Sequence, residues 1–152
     1  MKLASLCYIR HSGKTLMLHR NKRPDDYHFG RWNGIGGKLE AGESPEEAVR
    51  REVREESSLE IGELHLKGMI TFPLFDGKDD WYVFVFTASL HSGEIRHPAE
   101  GELAWIPDSE IAALNLWPGD RLFLPWLTEN RFFSAKLEYL GTELVGHSVN
   151  FY

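Results

Sequence analysis

The stretch that decides the fold is GGKLEAGESPEEAVRREVREESSLEI, residues 36–61, which carries eight glutamates and no aspartate. It contains the start signals of a helix. Ser44 is a preferred N-cap residue, Pro45 suits the first helical position, and two glutamates follow where the positive end of the helix dipole favours negative charge. The sequence therefore predicts a long helix that begins at Ser44 and Pro45.

Three carboxylates share one edge of this predicted helix. At about 100° per residue, Glu52, Glu55 and Glu56 fall in one arc beside the apolar stripe of Val49 and Val53. The arginines of the helix fall elsewhere, so we expect the arc to lack a nearby cation. The common interpretation of such charge is a solvated surface helix. Partly buried carboxylates, however, raise one another's pKa unless a cation binds them, and clustered oxygen ligands suit Mg²⁺ or Mn²⁺.

The rest of the chain predicts strands with two shorter helical segments. Alternating or aromatic-rich runs bounded by turn residues indicate strands, and these runs are 3–9, 15–20, 65–75, 81–90, 102–106, 131–140 and 143–152. Helical segments are predicted at 107–114 and at 119–130, the latter bent near Pro125. This order predicts a single α+β domain over residues 1–152, an α/β/α sandwich whose mixed sheet is flanked by helices.

Composition excludes several classes of protein. The 152 residues are 42% hydrophobic and 26% charged, which is too apolar for a disordered chain. The net charge of −6 opposes broad attraction to a nucleic-acid backbone. We find no run near the ~18 apolar residues of a membrane span, so we expect no membrane partner and a cytoplasmic location. The single cysteine, Cys7, lies in an apolar run and is predicted to be buried in the core.

The quoted stretch also carries a specific pattern. Gly37 is followed after five residues by Glu43, and after seven more by Arg51-Glu52-Val53-x-Glu55-Glu56, with an aliphatic Leu59 to close. This pattern resembles the signature of the Nudix hydrolase family, and so implies the Nudix fold. One position departs, because the family usually has glycine where this chain has Ser58. Glycine there would end the helix at positive φ, so serine is expected to cost about 1 kcal/mol without removing a ligand.

The resemblance implies roles for the residues of this motif. Glu52, Glu55 and Glu56 would ligate Mg²⁺, or Mn²⁺, with the Gly36 carbonyl nearby. Arg51 would orient the glutamates, and Glu43 would order the loop. A water molecule, activated by the metal with a glutamate as base, would attack a phosphorus atom of a nucleoside diphosphate derivative.

The resemblance continues beyond the motif, toward the MutT-like branch of the family. The segments that carry it are GRWNGIGGKLEAGE, AEGELAW, LWPGDRLFLPWL and RFFSAKLEYLG. It implies hydrolysis of 8-oxo-dGTP or a related oxidised purine nucleoside triphosphate to the monophosphate and pyrophosphate. It further implies that Glu100 is a metal ligand or a general base, and that Asn33 and Asp120 hydrogen-bond the purine. Trp117 would stack on the purine from a loop, where exposed rings more often serve binding. Animal members have two adjacent acidic residues where this chain has Gly119 and Asp120, which puts the range of bases in question.

Other substrate contacts are less specifically placed. Four cations could bind the polyphosphate of the substrate, namely Arg20, Lys22, Arg23 and Lys38. The backbone of Gly36 and Gly37 would also approach the polyphosphate. Phe72 and Trp81 either wall the base pocket or belong to the core. The glycine-rich NGIGGK lacks both the P-loop and the dinucleotide-binding spacing.

Two classes of function therefore remain open. The first is an enzyme, for which ADP-ribose, guanosine polyphosphates and dinucleoside polyphosphates are rival substrates. The second is a nucleotide-binding module without turnover, which would have little reason to keep carboxylates that repel one another. The sequence is compatible with a monomer or a homodimer.

Overall fold

The structure is a computed structural model that describes residues 1–152. Its nine strands are β1 (Lys2–His11), β2 (Lys14–His19), β3 (Trp32–Asn33), β4 (Ile35–Lys38), β5 (Glu60–Phe72), β6 (Trp81–Ser92), β7 (Glu102–Pro107), β8 (Phe133–Leu140) and β9 (Glu143–Phe151). Its helices are α1 (Pro45–Ser57) and the short α2 (Asp120–Phe123), and 3₁₀ turns span Asp108–Ala113 and Leu124–Thr128.

The strands form one mixed sheet. Its order is β3-β2-β1-β6-β5-β8-β9, with β4 paired to β1 and β7 paired to β2. The pairs β1–β6 and β5–β8 are parallel, while the other neighbours are antiparallel. This sheet, with helical segments on both faces, confirms the predicted α+β class.

The period-two alternation of the strands divides the core between the two faces of the sheet. In β1, Tyr8 packs with α2 and the terminal hairpin, whereas Cys7 and Ile9 pack in the cluster that contains Val49 and Val53 of α1. Cys7 is a buried core residue, as predicted. The long helix and the short helical segments therefore cover opposite faces.

Local chemistry fixes both ends of α1. The Ser44 hydroxyl accepts a hydrogen bond from the Glu47 backbone N–H at 3.1 Å, and the Glu47 carboxylate accepts one from the Ser44 backbone N–H at 3.0 Å. This is a capping box, so the predicted helix start is confirmed. At the other end Ser58 adopts the left-handed conformation, with φ of 63°, which is the geometry that favours glycine.

Most predicted strands are confirmed, and the main differences lie at β3, β4 and β5, of which the short β3 and β4 were not predicted. The strand predicted from residue 65 begins at Glu60, because the chain enters the sheet directly after the α1 cap, and it ends at Phe72. Residues 35–38, the end of NGIGGK, form β4 against β1. This strand was not predicted, because two of its four residues are glycines, which are rare in strands. The helix predicted over 119–130 is shorter, since α2 gives way to a 3₁₀ turn around Pro125. None of the helices has the length and apolar character needed to cross a membrane.

Candidate active site

A cavity of about 350 Å³ lies where β1, β4, β6, β8 and the loop before α2 meet. Its aromatic walls are Phe72, Phe75, Trp81, Trp117, Phe123 and Tyr139. Its polar side chains are Ser5, Arg20, His28, Asn33, Lys38 and Asp120. Aromatic walls with a few polar groups are typical of a site for a flat heterocycle that carries hydrogen-bonding edges.

Trp117 is more enclosed than the sequence predicts. The loop location is confirmed, but only 4% of the residue is exposed, so the prediction of an exposed ring is wrong. The ring nitrogen donates a hydrogen bond to Nδ1 of His28 at 2.8 Å, and the Arg31 guanidinium lies 4.6 Å from the ring centroid. Tyr27 stacks on the indole with ring centroids 5.4 Å apart. The surrounding loops hold the indole in a fixed orientation at the cavity wall.

Asn33 and Asp120 both line this cavity, as the resemblance implied for the purine edge. The side-chain nitrogen of Asn33 is buried and has no hydrogen-bond partner within the chain. Asp120 is 8% exposed, and burial raises the pKa of its carboxyl group to about 7, against the opposing charges of Arg31 and Arg121. Buried polar groups without partners are costly, so both side chains are suited to bind a ligand that supplies complementary groups.

The acidic edge of α1 lies beside this cavity. Burial, together with the charges of Glu52 and Glu100, raises the pKa of Glu56 to about 8, while Arg20 opposes the shift. One carboxylate oxygen of Glu56 is buried without a hydrogen-bond partner. Burial also raises the pKa of Glu52, although Arg51 opposes this shift. The fold therefore holds several acids close together in a partly desolvated place.

Arg51 is the one cation of α1 that bonds to acids of this edge. The expectation that Glu52, Glu55 and Glu56 have no nearby cation is therefore wrong for Glu52 and Glu55. The Arg51 guanidinium bonds Glu43 at 2.7 Å, Glu52 at 2.8 Å and Glu55 at 3.3 Å. It also donates to the Lys38 carbonyl at 3.1 Å. The hydrogen bond from Arg51, together with one from the Glu40 backbone N–H, lowers the pKa of Glu43 to about 2. The long, forked side chain reaches around the helix, and it ties the glutamates to the loop before α1.

Two glycines bring the helix and the cavity together. Gly36 lies so close to the backbone of Ser5 in β1 that a side chain there would collide with it. A side chain at Gly37 would collide with the carboxylate of Glu52. Both glycines also line the cavity, so the cavity and the acidic edge share one wall.

The acidic edge fits a hard divalent cation by its chemistry. It offers only oxygen donors, one of them buried and without a partner, and the glutamates oppose one another's ionisation. No group of three or more acidic, histidine or cysteine side chains has the spacing of a metal site in these rotamers. Glu52 and Glu55 both bond Arg51, so their side chains would have to turn toward Glu56 to ligate an ion.

The candidate phosphate-binding cations divide into two groups. Arg20 and Lys38 line the cavity; Arg20 is held by Asp26 at 2.7 Å, and the Lys38 ammonium lies 5.6 Å from the centroid of the Trp81 ring. Lys22 and Arg23 are exposed and do not line it. Phe72 and Trp81, which the sequence left open, are walls of the cavity.

Several cavity residues were missed in the sequence. His28 accepts from Trp117, and burial lowers its pKa to about 4, so it is neutral at physiological pH. Phe75 and Tyr139 come from a turn and from the terminal hairpin. No motif marks these residues, since the packing of loops and the long-range pairing of β5 with β8 bring them to the cavity.

With this geometry in place, comparison with known proteins identifies the family. Residues 2–127 match the NUDIX domain. The chain is 31% identical over 144 residues to the oxidized purine nucleoside triphosphate hydrolase of Danio rerio, covering 95% of this chain and 90% of that protein. It is 33% identical over 116 residues to the protein of the same name from Mus musculus, covering 76% and 74%. The crystal structure of a MutT protein from Bacillus halodurans superposes with a TM-score of 0.88 at 29% identity, covering 99% of this chain and 98% of that chain.

The chain therefore belongs to the Nudix family, and it is a Nudix hydrolase with MutT-like relatives. Nudix hydrolases act on small nucleotide substrates and generally need a divalent cation, usually Mg²⁺. The cavity and the acidic edge described above are the candidate site for such a reaction in this chain.

Proposed function

We propose that this protein is a Mg²⁺-dependent nucleoside triphosphate pyrophosphohydrolase. Its substrate would be 8-oxo-dGTP or a related oxidised purine nucleoside triphosphate, and its products the monophosphate and pyrophosphate. The two relatives named above, oxidized purine nucleoside triphosphate hydrolases, support this substrate class.

The observation that carries the proposal is the shared wall of the cavity and the acidic edge. Asn33 and Asp120 line the same cavity as Gly36 and Gly37, and Glu52 lies against Gly37. A purine held between the aromatic walls would place its phosphates along these glycines toward α1. Base recognition and hydrolysis would then occur at the two ends of one bound nucleotide.

The acids of α1 would hold the metal. Glu52, Glu55 and Glu56 would be its side-chain ligands, with the Gly36 carbonyl nearby and Glu100 as a further acid. When bound, a divalent cation neutralises charge on phosphoryl oxygens and makes a bound water a better nucleophile.

Other residues would position these acids and the phosphates. Arg51 would keep Glu52 and Glu55 close to the loop through the bonds it makes now. Arg20 lines the cavity and is near enough to Glu56 to affect its pKa, so it is suited to meet a phosphate there. Lys38 is a second cation at the same wall. Arg23 would have to move from its exposed position to take part.

At the other end, Asn33 and Asp120 would read the edge of the base. Trp117 would contact the ring of the base from the wall, where Tyr27 and Arg31 hold the indole in place. Phe72 and Trp81 would complete the apolar walls.

The proposal is tested by incubation with Mg²⁺ and a panel of 8-oxo-dGTP, dGTP, ADP-ribose and guanosine tetraphosphate, followed by identification of the phosphate products. We expect pyrophosphate release with the highest kcat/KM for 8-oxo-dGTP. Preferred cleavage of ADP-ribose or guanosine tetraphosphate would overturn the substrate and keep the hydrolase. Saturable binding without turnover would favour a nucleotide-binding module instead.

A further inference from the structure

Gly119 and Tyr139 make a contact that changes the polar lining of the cavity. The backbone N–H of Gly119 donates a hydrogen bond to the hydroxyl oxygen of Tyr139 at 2.7 Å. A Cβ atom built on Gly119 would lie 2.7 Å from that same oxygen and 2.7 Å from a methyl group of Leu137. The hydroxyl of Tyr139 thus occupies the space that a side chain at position 119 would need.

This hydrogen bond determines whether the Tyr139 hydroxyl can act as a donor or as an acceptor toward a ligand. A phenol oxygen is both donor and acceptor, and its hydrogen prefers the plane of the ring. Because the Gly119 N–H already takes an acceptor position, the hydroxyl hydrogen is left for another partner. Burial raises the pKa of Tyr139 to about 12, so the hydroxyl keeps its proton at neutral pH. Tyr139, which lines the cavity, therefore keeps a hydroxyl hydrogen that it can donate to a ligand there.

Asp120 supplies the complementary group. It is adjacent to Gly119 in the chain, it lines the same cavity, and its charge acts on Tyr139. Above its pKa of about 7 the Asp120 carboxyl group is ionised, and its oxygens accept hydrogen bonds. A donor from Tyr139 and an acceptor from Asp120 in one cavity match a base edge on which a carbonyl oxygen lies next to a ring N–H.

We propose that Tyr139, held by the Gly119 backbone, acts with Asp120 as a donor and acceptor pair that selects 6-oxopurine nucleotides over 6-aminopurine nucleotides. A 6-oxopurine offers its carbonyl oxygen to the tyrosine hydroxyl and its N1–H to the carboxylate. A 6-aminopurine offers a donor and an acceptor in the reverse order, so the tyrosine hydroxyl would face an amino group. Sites that leave a buried polar group unpaired reject the mismatched ligand strongly. This inference rests on the proposed function for its substrate class.

The test compares two triphosphates that differ only at carbon 6, namely 8-oxo-dGTP and its 2,6-diaminopurine counterpart. We expect the wild-type enzyme to prefer the 6-oxo substrate in kcat/KM by roughly tenfold or more. Tyr139→Phe removes the hydroxyl and should reduce this ratio by about tenfold, through a higher KM for the 6-oxo substrate with little change in kcat. Tyr82→Phe is the matched control, because Tyr82 lies on β6 and does not line the cavity. It should leave the ratio unchanged.

A second variant tests the contact itself. Gly119→Ala places a methyl group where the Tyr139 hydroxyl lies, so it should lower the ratio as Tyr139→Phe does. In the Tyr139→Phe background, the same change should alter the ratio little, because the displaced hydroxyl is already gone. An equal loss for both substrates in either single variant would indicate a merely structural contact and would overturn the inference.

Binding of the two corresponding monophosphates without metal separates this inference from the proposed function. Preferential binding of the 6-oxo monophosphate, lost in Tyr139→Phe, supports the inference even when no triphosphate is hydrolysed. Hydrolysis of both triphosphates without a 6-oxo preference overturns the inference and leaves the proposed function standing. Equal binding of the two monophosphates, or binding of neither, also overturns the inference.

Discussion

The acidic edge of α1 and the aromatic cavity beside it are built in opposite ways. The acidic edge is local, because Gly37, Glu43, Arg51 and the glutamates of α1 lie within residues 37–56. The cavity is assembled from distant segments, since its lining runs from Ala4 to Tyr139. A reactive centre carried by one segment keeps its spacing when the rest of the chain varies. A recognition cavity shared among many segments changes with each of them.

Burial is the largest cause of the raised pKa of an acid in both regions, but the neighbouring charges act in opposite directions. Glu56 is affected by burial and by the like charges of Glu52 and Glu100. Asp120 is affected by burial, with two arginines opposing the shift. Repulsion among acids is relieved by a cation, whereas desolvation of a single acid is relieved by a hydrogen-bonding ligand. The first region is therefore suited to a metal and the second to a base.

The largest effect is expected at the acidic edge. Glu56→Gln should lower kcat by roughly 10²–10⁴-fold, because the amide cannot act as a base and is a poor ligand. The fold should persist, since glutamine resembles the uncharged carboxyl group that burial and like-charged neighbours favour at neutral pH. Steady-state kinetics and thermal unfolding of both proteins measure these effects. Glu46→Gln, on the exposed first turn of α1, is the matched control, and a loss below tenfold for Glu56→Gln would contradict the assignment.

A smaller effect is expected where the acidic edge joins the loop. Arg51→Lys keeps the charge but cannot bond Glu43, Glu52 and the Lys38 carbonyl together. Activity should fall by roughly 10–100-fold, the range for residues that orient metal ligands, and more Mg²⁺ should be needed for half-maximal rate. A Mg²⁺ titration of the rate measures both. Arg54→Lys is the control, because Arg54 pairs with Glu60 at the surface, and it should change neither the activity nor the Mg²⁺ requirement. An unaltered Mg²⁺ requirement in Arg51→Lys would refute the role of Arg51.

A pH-dependent change in stability is expected from Asp120, the buried acid of the cavity. Asp120 has a pKa near 7 when folded and an ordinary value of 3.8 when unfolded, so the folded protein binds more protons between these values. Stability from this group is therefore present at low pH and is lost as pH rises toward 7. The free energy of unfolding of the wild type, relative to Asp120→Asn, should fall by about 2 kcal/mol between about pH 5 and pH 8.

Urea denaturation of the protein free of nucleotide and divalent cation, at both pH values, measures this difference. Asp25→Asn serves as the control, because Asp25 is exposed and should give the same difference from the wild type at both pH values. A wild-type and Asp120→Asn pair with parallel pH profiles would show that the carboxyl group titrates normally in the folded state.

The contrast between the two regions explains what the sequence could predict. The start of α1 follows from Ser44 and Pro45, and the spacing of Glu52, Glu55 and Glu56 follows from helical periodicity, so both were predictable from local residues. The reach of Arg51 around the helix was not, because periodicity gives the direction of a side chain and not its length. Asn33 and Trp117 were found by resemblance. His28 and Tyr139 were not found, since only the pairing of β5 with β8 and the packing of loops bring them to the cavity.

The smallest effect is expected at the end of α1, where this chain departs from the family pattern. Ser58 has a φ of 63°, a conformation that serine adopts at a cost and glycine adopts freely. Ser58→Gly should therefore stabilise the protein by about 0.5–1 kcal/mol, or roughly 2–3 °C in Tm for a chain of this size, without changing kcat. Ser148→Gly is the control of opposite sign, because Ser148 lies in β9 without a positive φ and glycine weakens a strand there. A lower Tm for Ser58→Gly would mean that the serine side chain contributes more stability than its backbone conformation costs. An altered kcat would mean that the cap also positions the glutamates one turn earlier in α1.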